Sequence, residues 1–244
     1  MTEFHHPRDR VVKGMFDDVA PRYDLLNRII SFRLDRYWRR EAVAAVLRRG
    51  AGLVLDLGTG TGDLAFAAAK KGCDATRVIG LDFSLEMLRI AQLKKLRAAH
   101  ARETRFVQGS ALCAPFKSGV FDGVMTAFVL RNVSDLKDFF AESERVLKPG
   151  GILVTLDMFP PSQNWFHPLY ALYFYRLVPW IGKVLSPNGE AYQYLSQSVR
   201  QFHSPEAIAG LMEAAKFEIV TLRKFLNGAV CMHVAQKPRE RSFD

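Results

Sequence analysis

The stretch "LDLGTGTGDLA", Leu55 to Ala65, sets three glycines between an apolar run that ends near an aspartate and a second apolar run. Glycine lets a backbone turn sharply and lets a ligand approach it closely. Upstream, "LVLDL" (53–57) is a near-continuous apolar run, as expected of a strand buried on both faces. A bare loop that follows a buried strand and opens a helix predicts a ligand site at the carboxyl end of a parallel strand.

Working outward, the same alternation continues. "RVIGLD" (77–82), "TRFVQG" (104–109), "FDGVMTAF" (121–128) and "GILVTLD" (151–157) read as further strands. Between them, Ser84 is placed to cap "LEMLRIAQLKKLRAA", whose Met87, Leu88, Ala91 and Leu96 fall on one face. Asp135 caps a second helix running to Leu147, where "KPGG" should stop it. Ser204 and Pro205 open a third, "SPEAIAGLMEAA". The final strand-like runs, "FEIVTLRKF" and "AVCMHVAQK", flank Asn227-Gly228, a hairpin signal that makes them antiparallel. Strand–helix alternation implies right-handed crossovers and a sheet covered by helices on both faces. We read 1–244 as one domain with two additions: an arginine-rich helical segment (1–50) and an aromatic-rich helical insertion (159–200) covering the substrate side.

Composition sets outer limits. The 244 residues carry 34 Lys and Arg against 25 Asp and Glu, a net charge of +9, which suits an anionic partner without choosing between nucleic acid and lipid. Cys73, Cys113 and Cys231 form no CxxC pair, so neither a disulfide framework nor a zinc site is suggested. The six histidines have no ligand spacing, and no metal is expected. The N-terminus carries charges where a signal peptide needs an apolar region. No uninterrupted apolar run reaches spanning length. A cytoplasmic protein is expected.

Asp82 closes the next strand twenty residues after Gly62, where an acidic side chain can take a ribose hydroxyl pair; a nucleoside ligand is implied. The dinucleotide fingerprint needs a glycine where Asp63 stands, and a carboxylate there would compete with a pyrophosphate for the helix amides. No Gly-Lys-Ser/Thr follows, so the P-loop reading fails as well. What remains, D-x-G-x-G-x-G from Asp56 to Gly62, is the glycine motif of S-adenosylmethionine-dependent methyltransferases. Their class I fold is a Rossmann-like α/β domain with a mostly parallel seven-stranded sheet and an antiparallel last strand. "GSALCAPF" (109–116) and "TAFVLRNV" (126–133) follow the third and fourth strands and reach the same site.

Further motifs narrow the field. "MFDDVAPRYDLLN", "GTGTGDLA", "LDFSLEML", "LRNV", "ERVLKPGG", "YQYLSQSVRQF" and "MHVAQK" occur in the order of the ubiquinone/menaquinone biosynthesis C-methyltransferases. The chain resembles that family from about Val12 to Lys237. It departs at Thr59, Arg33 and Val129, where glycine is common, at His203, where proline is usual, and at Ala127, where serine is frequent. The resemblance implies S-adenosyl-L-methionine as cofactor, with contacts at Thr61, Asp82, Ser110 and Ala111. Gly58, Gly60, Phe83 and Ala127 complete the set, and Asp56 orients the loop.

The family's reaction methylates a ring carbon of a polyprenylated quinol, activated by loss of a hydroxyl proton. Arg131 is the first candidate beside that hydroxyl; being permanently protonated, it suits phenolate stabilisation better than proton abstraction. Tyr23, Tyr192 and Tyr194 are candidates to frame the ring, and Asp24 either completes the site or caps a helix. His233 reads as a structural histidine. The aromatic segment 165–185 suits a prenyl tail or a membrane surface, and arginines 28, 33, 36, 39 and 40 suit anionic headgroups. The partners expected are a quinol, peripheral contact with the inner face of the cell membrane and a homodimer, with no nucleic acid. Alternatives are a methyltransferase acting on another lipophilic molecule or RNA, and a scaffold that binds the cofactor without turnover.

Overall fold

In the computed structural model the described residues are 7–48, 50–73, 75–98, 103–161, 167–178, 180 and 190–239. Seven strands form one sheet: β1 (Leu53–Leu57), β2 (Arg77–Asp82), β3 (Thr104–Gln108), β4 (Phe121–Ala127), β5 (Leu147–Met158), β6 (Glu218–Phe225) and β7 (Val230–Gln236). Their order is β3-β2-β1-β4-β5-β7-β6. The first five run parallel, and β7 is antiparallel to both neighbours. The chain winds outward from β1 in both directions, so the β1–β4 boundary is the switch point, where a crevice opens beyond the strand ends.

The strands are apolar because both faces are covered. Val54 belongs to one core with Trp38, Val43, Leu64 and Val78, beneath the helices α3 (Leu34–Val46) and α4 (Asp63–Lys71). Leu55 and Leu57 belong to the opposite core with Phe139, Phe140, Ile208 and Met212. The caps form as expected. Ser84 Oγ accepts from Met87 N at the start of α5 (Leu85–Leu96), and Asp135 accepts from Lys137 N and Asp138 N at the start of α6 (Leu136–Val146). Ser204 accepts from Ala207 N.

Three expectations need correction. Leu96 is 84% exposed, so it lies off the buried face shared by Met87, Leu88 and Ala91. The helix α6 stops at Val146 as expected, but β5 begins at once at Leu147 and not at Gly151, with a register shift between the Phe121–Leu147 and Gly123–Ile152 pairings absorbing the glycines. Phe159 belongs to the central core, against Phe202 and His233, and not to the aromatic insertion.

Two additions cap the crevice end. α1 (Pro7–Val19) and α2 (Tyr23–Ile30) pack toward a π-helical turn (Tyr173–Leu177) and the helix Glu190–Arg200. Leu26, Ile30, Tyr170, Phe174, Val178 and Val199 form a third core between them. Trp165, Phe166, the segment 181–189 and the side chain of Tyr192 lie outside the described residues. Among the described residues no helix is long and apolar enough to cross a membrane.

Candidate active site

The glycines of the β1–α4 loop adopt φ of +69° (Gly58), +55° (Gly60) and +84° (Gly62), a left-handed region that side chains rarely enter. Their reasons for being bare differ. A Cβ on Gly58 would lie 2.5 Å from Val129 Cγ2, and one on Gly62 would lie 2.8 Å from Phe66 Cε2. A Cβ on Gly60 would meet nothing within 4 Å. Gly58 and Gly62 are therefore bare so that the protein can pack on itself, while Gly60 leaves room for something else.

Asp82 holds this loop. Its Oδ2 accepts from Gly60 N (2.7 Å) and its Oδ1 from Ser84 N (2.9 Å). Burial pushes its pKa up to about 6, against the lowering effect of the two amides. Each oxygen retains a further acceptor position, enough for a pair of hydroxyls. Asp56 faces inward: it is 1% exposed, and its Oδ2 accepts from Thr59 Oγ1 at 2.7 Å. Burial raises its pKa to about 7. Thr59 thus gives Asp56 a hydroxyl partner that a glycine there would lack. Asp56 thus grips the loop from inside through Thr59.

Asp63, at the start of α4, is ion-paired with Lys94. Burial alone would raise its pKa, but Lys94 and, more distantly, Arg39 and Arg28 bring it below the ordinary carboxylate value. A loop whose helix N-terminus already holds a carboxylate suits a ligand without phosphate. The same lysine donates to Asp24 Oδ2 (2.7 Å) and Thr61 Oγ1 (3.1 Å), while Thr61 Oγ1 donates to Asp24 Oδ1 (2.6 Å). Ser84 Oγ donates to Asp17 Oδ1 at 2.5 Å. These bonds fasten α1 and α2 over the loop and occupy the Thr61 hydroxyl with protein partners. Asp24 is therefore neither a helix cap nor free.

The remaining cofactor candidates border the same strand ends. Ala127 closes β4. The carbonyl of Phe83 accepts from Gln108 Nε2 at 3.3 Å. Ser110 Oγ accepts from Leu112 N at 3.1 Å, and Ala111 packs on the second core.

After β4, Phe128 takes φ +65° and the chain enters a 3-10 turn, Leu130–Asn132. Because Val129 packs on Gly58, this turn is braced directly against the glycine loop. Arg131 is buried, and its Nη1 lies 2.5 Å from Asp157 Oδ1 at the end of β5. Asp157 Oδ1 also accepts from Met158 N (2.7 Å), which fixes the carboxylate. Arg131 and Arg39 lie 6.0 and 5.1 Å from the Phe128 ring centroid, within cation–π range.

Arg131 borders a cavity of about 330 Å³ lined chiefly by Trp38, Phe128, Tyr170, Tyr173, Phe174 and Leu195. Among the described lining residues only Asp35 and Arg131 are charged, and Asp35 is engaged by Ser31 Oγ (2.8 Å) and Arg39 (3.7 Å). Tyr23 does not line this cavity: it is half-buried on α2, with its ring edge-on to Phe16 at 6.1 Å. Tyr194 does not line it either. Sequence reasoning thus brought Arg131 to the site and singled out the segment that supplies Tyr170, Tyr173 and Phe174, but it missed Trp38. It also missed Asp157 and Lys94. Asp157 carried a usable signal, since "GILVTLD" closes on an aspartate just as "RVIGLD" does. His233 is structural: Nε2 lies 2.8 Å from Pro205 O and Nδ1 3.3 Å from Thr155 Oγ1, and burial lowers its pKa.

A switch-point glycine loop, an acidic residue closing β2 and a seven-stranded sheet with β7 antiparallel define the class I S-adenosylmethionine-dependent methyltransferases. A methyltransferase of Thermotoga maritima shares the fold at a TM-score of 0.64 and 19% identity, covering 93% of this chain and 99% of its own. The ubiE/COQ5 methyltransferase family matches residues 3–237, and this chain belongs to it. Among its relatives, the demethylmenaquinone methyltransferase of Thermus thermophilus is 43% identical over 92% of this chain and 100% of its own length. The ubiquinone/menaquinone biosynthesis C-methyltransferase of Desulfotalea psychrophila is 40% identical over 91% and 88%.

Proposed function

We propose that the chain uses S-adenosyl-L-methionine to methylate a ring carbon of a polyprenylated quinol, a demethylmenaquinol or the corresponding benzoquinol. The observation that carries this reading is the buried Arg131–Asp157 pair, with Arg131 at a largely apolar cavity braced against the glycine loop. When bound, the cofactor supplies an electrophilic methyl group. Gly60 leaves it backbone space and Asp82 offers acceptors for its ribose hydroxyls, which is the fit this ligand requires.

The quinol ring lies among Phe128, Tyr170 and Tyr173 in this reading, one hydroxyl against Arg131. Loss of that proton to water creates a phenolate, whose negative charge is costly in an apolar cavity unless a fixed cation faces it. Asp157 holds the guanidinium in place and Phe128 packs alongside it. The electron-rich carbon beside the phenolate would form its bond to the methyl group as the methyl–sulfonium bond breaks, the electron pair staying on sulfur as a neutral thioether. The ring would then release its proton to water to restore aromaticity. The protein's largest contribution is alignment of the two reactants.

The test is incubation with methyl-labelled cofactor and, separately, reduced demethylmenaquinone and demethylated benzoquinol with short prenyl tails. Label on a ring carbon is expected. No label on either ring, with cofactor binding intact by calorimetry, sinks the quinol assignment in favour of another acceptor or a non-catalytic role.

A further inference from the structure

The helix α2 and the turn after it leave large hydrophobic side chains in solvent, Phe32 keeping only an edge of contact with Tyr173 (ring centroids 5.4 Å apart). Leu25 (58% exposed), Ile29 (38%) and Phe32 (72%), spaced four and three apart, follow one outward stripe. Leu34 is 38% exposed and Leu226 44%. Phe32, Leu34 and Leu226 also line the cavity beside Arg131, so they form part of its rim. An exposed apolar collar of this kind marks a surface that is covered in use.

Beside it stand three arginines. Arg33, Arg36 and Arg40 follow one another at intervals of three and four and are exposed. Among the described residues their side chains have no hydrogen-bond or ion-pair partner. Arg33 is the least expected of them. It is the N-cap of α3, with φ +64° and no capping bond from its side chain. A cation there opposes the positive end of the helix dipole. Phe32 before it also has a positive φ, +50°. Two consecutive left-handed side chains are strained, and such strain persists mainly at functional positions. An anion outside the molecule would relieve the electrostatic part of this arrangement.

We infer that this face docks on the surface of an anionic bilayer, with the arginines at the phosphate level and Phe32 and Leu34 in the headgroup–acyl boundary. The cavity rim then opens onto the lipid, and a prenylated ring enters without crossing water. The choice of lipid over another anion rests on the quinol reading, because an extended apolar collar joined to basic residues matches an interface with both characters. Nucleic acid would account for the arginines and leave the collar unexplained.

Sedimentation of the full chain with phosphatidylcholine vesicles, with and without phosphatidylglycerol, tests this. Retention is expected on the anionic vesicles and release by salt. The combined variant Arg33→Gln, Arg36→Gln, Arg40→Gln should weaken retention by about a hundredfold, roughly fivefold per arginine. It should keep wild-type turnover of a short-tailed quinol in detergent while losing turnover of a long-tailed quinol embedded in vesicles. Wild-type chain that stays in the supernatant, a variant retained as well as wild type, or tight RNA binding in place of vesicle binding overturns the proposal. Vesicle retention is read without substrate. A chain that binds vesicles through these arginines but methylates no quinol therefore supports the docking face and overturns the quinol reading alone.

Discussion

The loop from Asp56 to Asp63 and the cavity beside Arg131 adjoin each other but are specified differently. The loop is drawn from one short segment and held by backbone: Gly58 N and Thr59 N both donate to Leu81 O, and Gly60 N to Asp82. The cavity is assembled from side chains at Trp38, Phe128, Tyr173 and Leu195, spread over about two-thirds of the chain. A site made of backbone tolerates few residue types at each position. One made of packed side chains tolerates many, provided its volume and apolar character persist. Cofactor choice is thus rigidly encoded, and acceptor choice is adjustable.

The largest break in that comparison should come at Gly58. Alanine there must accept φ +69° and a contact of 2.5 Å with Val129, combining about 1–3 kcal/mol of backbone strain with a similar overpacking cost. Gly58→Ala should lower the melting temperature and damage both cofactor binding and turnover. Gly60→Ala meets no clash, so it should cost less stability yet still weaken cofactor binding. Equal thermal shifts in the two variants would contradict the division between self-packing and ligand-facing glycines.

Next comes Arg131. Removing a fixed charge from a developing oxyanion costs about 10²–10³ in kcat. Arg131→Met should show that loss with cofactor affinity near wild type, and it should also destabilise the chain because Asp157 is left buried without its cation. Arg131→Lys separates these effects: it restores charge, and with it most of the stability, but not the planar fork. Recovery of kcat along with stability in Arg131→Lys would show that charge alone suffices, whereas near-wild-type kcat in Arg131→Met would show that the pair is structural only.

The difference in encoding explains what could be read from sequence. β1 and β2 matched the apolar runs residue for residue, because a strand buried on both faces has no polar side to blur its ends. Ser84, Asp135 and Ser204 announced their helices because capping is local chemistry. The β5 start was hidden because Pro149 and two glycines, ordinarily terminators, are absorbed by a register shift that only the neighbouring strand reveals. Arg131 was found through its motif. The Lys94 network was not, since Asp24, Thr61, Asp63 and Lys94 come together only when α2 folds over the loop.

A smaller effect follows from Asp82, whose pKa is raised by burial to about 6 from 3.8. Its charged form accepts ribose hydroxyls, so cofactor affinity should be level above about pH 7 and fall as pH drops through 6, by up to tenfold per unit. Stability should move the other way. A carboxyl with a raised folded-state pKa binds more protons folded than unfolded, so its contribution is present below about 4 and lost as pH rises through about 6. Asp56, raised to about 7, adds the same sign over a wider range. Asp82→Asn should therefore flatten both pH profiles, and because an amide nitrogen cannot accept one of the two backbone bonds it should also loosen the loop. Loss of affinity with an unchanged pH profile would place the titrating group elsewhere.

The smallest expected effect tests how the two regions are joined. Lys94 connects α2 through Asp24 to the loop through Thr61 and Asp63, and its side chain is 27% exposed, so solvent screens each pair. Such pairs contribute about 0.2–1 kcal/mol each. Lys94→Met also leaves two carboxylates facing each other without their shared cation, which should loosen α2 more than it perturbs the sheet. Amide exchange is expected to quicken over 7–30 and stay slow in β1 and β4, with cofactor binding weakened only a few-fold. Asp24→Asn should give a similar pattern, and combining the two should be less than additive because both break the same connection. Strict additivity would mean that Lys94 acts through Asp63 alone, and that α1 and α2 are held by the Asp17–Ser84 bond and the apolar contacts of Leu26 and Ile30.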